Sequence, residues 1–149
     1  VSPLRGVPRI LTSVGAFNTI LEKYPSPANG ITFCQATFKL MGADLKSVSE
    51  KWLRDKRIFF LHFRDVVGRK EHFREAFHDN GSTDMADMLL HYSSNGFEGP
   101  IRPDHAPAMF GESQTHFSGG IGTGYGITGR IFAVGYIKGI CSAHHIPVD

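Results

Sequence analysis

The chain has 149 residues, 41% of them hydrophobic and 20% charged, a composition that folds as one globular domain and is not that of a disordered chain. Sixteen Lys and Arg against fourteen Asp and Glu leave a net charge of +2, too small for nucleic-acid binding driven by bulk charge. The apolar runs, such as residues 58–61, fall far short of a membrane span, and residues 1–6 carry no charged head and apolar core of a secretory signal.

Residues 1–9 hold Pro3, Gly6 and Pro8 and read as an irregular arm. Ser13 is placed to cap a helix running to Lys23, with Val14, Phe17, Ile20 and Leu21 on one face. Pro25, Pro27, Asn29 and Gly30 end it and introduce a β-branched and aromatic strand over 31–34. The spacing of Leu45, Val48, Trp52 and Leu53 predicts a helix over 44–55, and residues 57–63 read as a buried strand. Residues 70–77 read as a short helix stopped by Gly81. Ser82 or Thr83 then starts another, which carries Met85, Met88, Leu89 and Tyr92 and ends at Asn95-Gly96. A third strand is expected over 99–104, short because Pro100 and Pro103 lack ladder donors. A glycine-rich loop leads to a last helix over 128–142. Alternating helices and strands predict a parallel sheet with crossover helices, that is, an α/β fold.

In such folds, reactive groups collect at the C-terminal ends of strands. The three predicted strands end at Cys34, His62 and Asp104. One thiolate, one imidazole and one carboxylate on neighbouring strand ends can converge on a divalent ion. This mixed donor set suits Mn, Fe, Co or Zn better than Mg or Ca. The bland alternative is a buried cysteine, a structural histidine and a turn aspartate. Arg64 and Arg102 are ordinary ion-pair residues or clamps for a substrate carboxylate. His78 lies in a polar turn and either faces the site or shapes the turn. Two cysteines, Cys34 and Cys141, do not make a disulfide framework, so a reducing, cytoplasmic setting is expected.

Residues 124–129 fit G-x-G-x-x-G, but they follow a polar loop rather than a strand, and too little chain follows for the next strand. No nucleotide cofactor is expected. The simpler reading is a loop and a helix packed closely through Gly129, Gly135 and Gly139.

The runs over 29–34, 58–65, 77–85 and 99–105, with Gly124-Tyr125 and residues 129–136, together resemble mannonate dehydratase. The resemblance covers essentially the whole chain. It implies a xylose-isomerase-like TIM barrel that dehydrates D-mannonate to 2-keto-3-deoxy-D-gluconate in hexuronate catabolism, with Mn²⁺ or a similar ion such as Fe²⁺ or Co²⁺. It implies that Cys34, His62 and Asp104 are metal ligands and that His105 and Tyr125 are the acid/base pair. A neutral His suits the base and a Tyr hydroxyl the acid, with the order left open. Arg64, Arg102 and His78 are the candidate contacts for the sugar acid.

A complete barrel needs about 250 residues. The expectation is therefore a partial (β/α)₈ barrel of about three C-terminal units, residues 1–149 forming one C-terminal portion. The resemblance implies a further ligand histidine in an N-terminal part of the barrel, which is expected to lie outside these residues. The full-length protein is expected to be a homo-oligomer acting on a small molecule, with no nucleic-acid or membrane partner. Alone, the chain is expected to be inactive. The competing readings are another sugar isomerase or epimerase of the same barrel superfamily, and a non-catalytic remnant that needs a partner chain.

Overall fold

A computed structural model describes residues 3, 5–110, 112 and 124–148. Helix α1 (Val14–Lys23) starts where Ser13 accepts a hydrogen bond from the Ala16 N–H at 3.2 Å. Strand β1 (Ile31–Cys34) runs straight into a short helix, α2 (Gln35–Leu40), which no capping residue sets apart from the strand in the sequence. Helix α3 (Leu45–Arg54) is capped by Asp44, whose carboxylate accepts from the Ser47 N–H at 2.8 Å. Strand β2 (Ile58–His62) follows, and β5 (Ile101–Arg102) is the two-residue remnant that Pro100 and Pro103 allow. The carbonyls of Pro100 and Arg102 still accept from the N–H groups of Leu61 and Phe63. The three strands form a parallel sheet in the order β1-β2-β5, as the alternating pattern predicts.

Register positions the chemistry. Phe33 lies beside Leu61, and Leu61 beside Ile101. Phe33 and Leu61 are fully buried, on the face covered by α3 and by the later helix α4 (Met85–Ser94). One residue further along, Cys34, His62 and Arg102 stand abreast on the opposite face. The pairing slips at Ile31/Thr32, where Phe59 is the extra residue on β2; it is exposed, while Ile58 and Leu61 stay buried.

Two expectations are corrected. Residues 70–77 are not a helix. Strands β3 (Asp65–Arg69) and β4 (His72–Ala76) form an antiparallel hairpin, pairing Asp65 with Ala76 and Arg69 with His72. The spacing of Phe73 and Phe77 imitates a helical stripe, but Phe73 is exposed and only Phe77 packs, its ring centroid 5.8 Å from that of Phe132. Val66 and Val67 supply a β-branched partner strand instead. Residues 70 and 71 turn the hairpin, and Gly68, paired with Phe73 at φ 120°, lets the strands approach there; a Cβ would collide with the His72 carbonyl.

The cap of the next helix, α4 (Met85–Ser94), is Asp84, which accepts from the Asp87 N–H at 2.9 Å. Ser82 and Thr83 are occupied elsewhere: their hydroxyls accept from Lys39 Nζ at 2.7 and 2.8 Å. That ammonium also meets the buried Asp65 carboxylate at 2.5 Å and the Val66 carbonyl at 2.9 Å. Burial pushes the Asp65 carboxyl up, but Lys39 and the Thr83 N–H and hydroxyl override it and hold it below the usual value.

Helix α5 (Ile127–Ala143) buries Gly129, Ala133, Ile137 and Cys141, a face repeating every four residues. The close-packing expectation holds for Gly129, where a Cβ would come 2.7 Å from the Pro107 carbonyl. It fails for Gly135 and Gly139, which meet nothing within 4 Å. The glycine-rich loop expected before the last helix falls largely on residues 111 and 113–123, outside the described residues. Among the described residues no helix is long and apolar enough to cross a membrane.

Candidate functional site

The three strand-end residues converge. One ligating atom each from Cys34, His62 and Asp104 lies within 4.8 Å of the others. Cys34 and His62 come together by register, while Asp104 reaches them from two residues beyond β5 with a left-handed backbone, φ 61°. Aspartate tolerates that conformation better than most residues, and it re-aims the carboxylate at the neighbouring strand end. His62 Nδ1 lies 3.5 Å from Asp104 Oδ2. Burial lowers the His62 pKa although Asp104 opposes it, and the Arg102 and Arg64 cations add to the lowering. A neutral imidazole keeps the lone pair that a metal needs. The Cys34 sulfur is spared from backbone capping at the start of α2 and accepts from the Thr37 hydroxyl at 2.9 Å. Sulfur, nitrogen and oxygen donors at this spacing fit a borderline divalent cation such as Mn, Fe, Co or Zn.

His105 and Tyr125 stand beside the trio. Their rings meet edge to face, with centroids 4.4 Å apart. A parallel bridge between Ala106 and Tyr125, with the Ala106 N–H donating to Gly124 O at 2.9 Å, brings the two segments together. Gly124, at φ 101°, lets the backbone pass the imidazole; a Cβ there would lie 3.2 Å from His105. The guanidinium carbons of Arg102 and Arg130 lie 5.9 and 5.8 Å from the Tyr125 ring centroid.

The three candidate substrate contacts separate. Arg64 is buried between two carboxylates: Nη1 donates to both oxygens of Glu75, at 2.6 and 2.9 Å, and Nε lies 3.1 Å from Asp104 Oδ2. The last contact is an ion pair too bent for a hydrogen bond, which leaves that Nε–H without an aligned acceptor. Arg102 is more open and stands 3.8 Å from Asp104 Oδ1. His78 is not brought to the trio. It is 1% exposed, with Nε2 2.5 Å from the Phe63 carbonyl and its ring against Phe63 and Tyr136. Burial lowers its pKa, so the ring is neutral and Nε2–H donates to that carbonyl.

Glu75 is the residue that sequence reasoning missed. It projects from β4, receives Arg64, and accepts from His105 Nδ1 at 3.2 Å. Burial pushes its carboxyl up, but the His105 and Arg64 contacts win and hold it below the ordinary value.

A parallel α/β layer with a metal-capable trio and a His–Tyr pair at its strand ends belongs to the architecture of metal-assisted enzymes. Comparison with known proteins narrows the class. The model of the D-mannonate dehydratase (UxuA) family matches residues 1–146. A mannonate dehydratase of Enterococcus faecalis is 38% identical over 143 residues, covering 93% of this chain and 37% of its own length. Mannonate dehydratase 2 of Halalkalibacterium halodurans is 34% identical, covering 93% of this chain and 39% of its own length. The crystal structure of mannonate dehydratase from Streptococcus suis serotype 2 superposes with a TM-score of 0.80 at 28% identity, covering 97% of this chain and 42% of that one. The chain belongs to the D-mannonate dehydratase family. It spans well under half the length of the relatives it matches.

Proposed function

We propose that the protein acts as a metal-dependent hydro-lyase that dehydrates D-mannonate to 2-keto-3-deoxy-D-gluconate. One observation carries the reading: in a chain of this family, Cys34, His62 and Asp104 converge to within 4.8 Å. These three residues would hold the cation, Mn²⁺ in the first instance and Fe²⁺ or Co²⁺ otherwise. When bound, the ion supplies Lewis-acid polarisation of the sugar acid, which makes the proton on C2 more acidic.

The remaining chemistry is proton transfer. His105 takes the proton from C2. The Tyr125 hydroxyl, which can donate, protonates the C3 hydroxyl as it leaves as water. The resulting enol becomes the 2-keto acid by proton shift, so substrate equals product plus one water. Arg102, the more open of the two guanidinium candidates at the trio, orients the substrate carboxylate. Arg64 instead holds the carboxylates of Glu75 and Asp104 apart and in place.

We further read β1, β2 and β5 as an arc of a (β/α)₈ barrel, residues 1–149 being its C-terminal portion. The free thiols of Cys34 and Cys141 suit a cytoplasmic protein. The test is product analysis with D-mannonate and Mn²⁺, using the protein as its gene encodes it. The expected result is a 2-keto-3-deoxy acid that Cys34→Ser and Asp104→Asn each abolish. A product of unchanged formula would favour an isomerase and overturn the dehydratase reading.

A further inference from the structure

We propose that Glu75, on strand β4, is a positioning residue for His105: it receives the Nδ1 proton and so leaves Nε2 as the lone-pair nitrogen turned toward the Cys34–His62–Asp104 trio. The inference rests on the dehydratase reading for its consequence in catalysis, but not for its geometry. A neutral imidazole carries one N–H, and an ionised carboxylate only accepts. The nitrogen that lies 3.2 Å from Glu75 Oε1 is therefore the protonated one. Nε2 lies 4.0 Å from Asp104 Oδ2, beyond hydrogen-bond range, and stays available for a substrate proton.

The arrangement is closed on itself. Glu75 is gripped through both oxygens by Arg64, and Arg64 also lies against Asp104, the residue preceding His105 in the chain. Asp104, Arg64, Glu75 and His105 thus form a ring of contacts closed by one peptide bond. The imidazole is also bounded by Gly124 and by the edge-to-face contact with Tyr125, which oppose a rotation that would exchange its two nitrogens. The β3–β4 hairpin carries Glu75 into this ring through the pairing of Val66 with Glu75. A hairpin placed directly after a site-bearing strand thus supplies the group that fixes a base just beyond the next strand of the sheet.

The experiment reads the tautomer directly, by long-range ¹H–¹⁵N correlation of the histidine rings at a pH where imidazoles are neutral. The protein as its gene encodes it is compared with Glu75→Gln and Glu75→Asp, and His105→Gln assigns the signal. The expected result is an Nδ1–H ring in the unmodified protein and in Glu75→Asp, shifting toward Nε2–H in Glu75→Gln. With D-mannonate as substrate, kcat of Glu75→Gln should fall about 10- to 100-fold with KM held within about threefold. Glu75→Asp should recover part of the loss. Co²⁺ stoichiometry should be unchanged in both variants, because Glu75 reaches the ligand trio only through Arg64 and His105. An Nε2–H ring in the unmodified protein overturns the proposal even if Glu75→Gln does not fold. So does a Glu75→Gln protein with an unchanged tautomer and unchanged kcat. Failure of the unmodified protein to dehydrate D-mannonate would refute the functional reading, and the tautomer would still decide the role of Glu75.

Discussion

Replacing Lys39 by Met removes one charge from a buried pair and leaves the rest of the side chain's bulk. Asp65 is fully buried and Lys39 Nζ, on a side chain 23% exposed, lies 2.5 Å from it. Breaking a buried pair by deleting one partner costs about 3–5 kcal/mol, whereas exposed pairs contribute about 0–1 kcal/mol. The partial exposure of Lys39, and the two Thr83 bonds that Asp65 keeps at 2.8 Å each, place the expected loss at about 2–4 kcal/mol. Trp52, the only tryptophan and 1% exposed, reports unfolding in urea by its fluorescence. The partner charge can then be removed as well. Lys39→Met/Asp65→Asn should be less destabilised than the sum of its single variants, because the second change removes the orphaned buried charge.

The pH dependence has a definite sign. The folded Asp65 carboxyl lies below its ordinary value of 3.8. Its contribution is therefore complete above that value and disappears as pH falls through the lower folded one. The penalty of Lys39→Met should be level near neutrality and shrink as pH falls through the Asp65 value of the variant, which lies above that of the unmodified protein because burial is then less opposed. A Lys39→Met protein within about 0.5 kcal/mol of the unmodified one at neutral pH would refute the reasoning.

Three further outcomes follow from the same geometry. Leu61→Ala, at a fully buried position at the centre of the sheet, should cost about 2–5 kcal/mol in the same urea assay; a loss under about 1 kcal/mol would mean that the β1-β2-β5 core is misplaced. Gly129→Ala puts a methyl 2.7 Å from the Pro107 carbonyl, so it should lower the melting temperature and weaken the docking of α5; an unchanged melting curve would contradict that contact. Cys34→Ser should keep the fold by circular dichroism but lose tight binding of one Co²⁺, together with the thiolate-to-cobalt absorption band; an unchanged band would remove Cys34 from the ligand set.

The candidate ligands were legible because strand ends are readable from short β-branched runs and the sheet was readable as parallel. Once Cys34 and His62 end adjacent parallel strands, register alone brings them together. Asp104 was equally visible as the end of a third strand, although its positive φ was not. What escaped depends on contacts distant in sequence or on a misleading local period. Residues 70–77 carry helix-like spacing, and only the pairing with Val66 and Val67 shows them to be a strand. Glu75 was lost with that assignment. Arg64 was visible as a cation near the site, yet its two carboxylate partners could not be read from the chain. The Lys39–Asp65 pair joins residues 26 apart, and Lys39 sits on a short helix that follows β1 without a break. Ser82 and Thr83 looked like helix caps because hydroxyl residues favour that position, but Lys39 claims both of their oxygens.

The central claim is that Cys34, His62 and Asp104 bind one cation together, and X-ray absorption on the protein loaded with one equivalent of Zn²⁺ tests it most directly. The account predicts one sulfur scatterer at about 2.3 Å with nitrogen and oxygen scatterers at about 2.0–2.2 Å, and loss of the sulfur shell in Cys34→Ser. A shell of nitrogen and oxygen alone in the unmodified protein would contradict it.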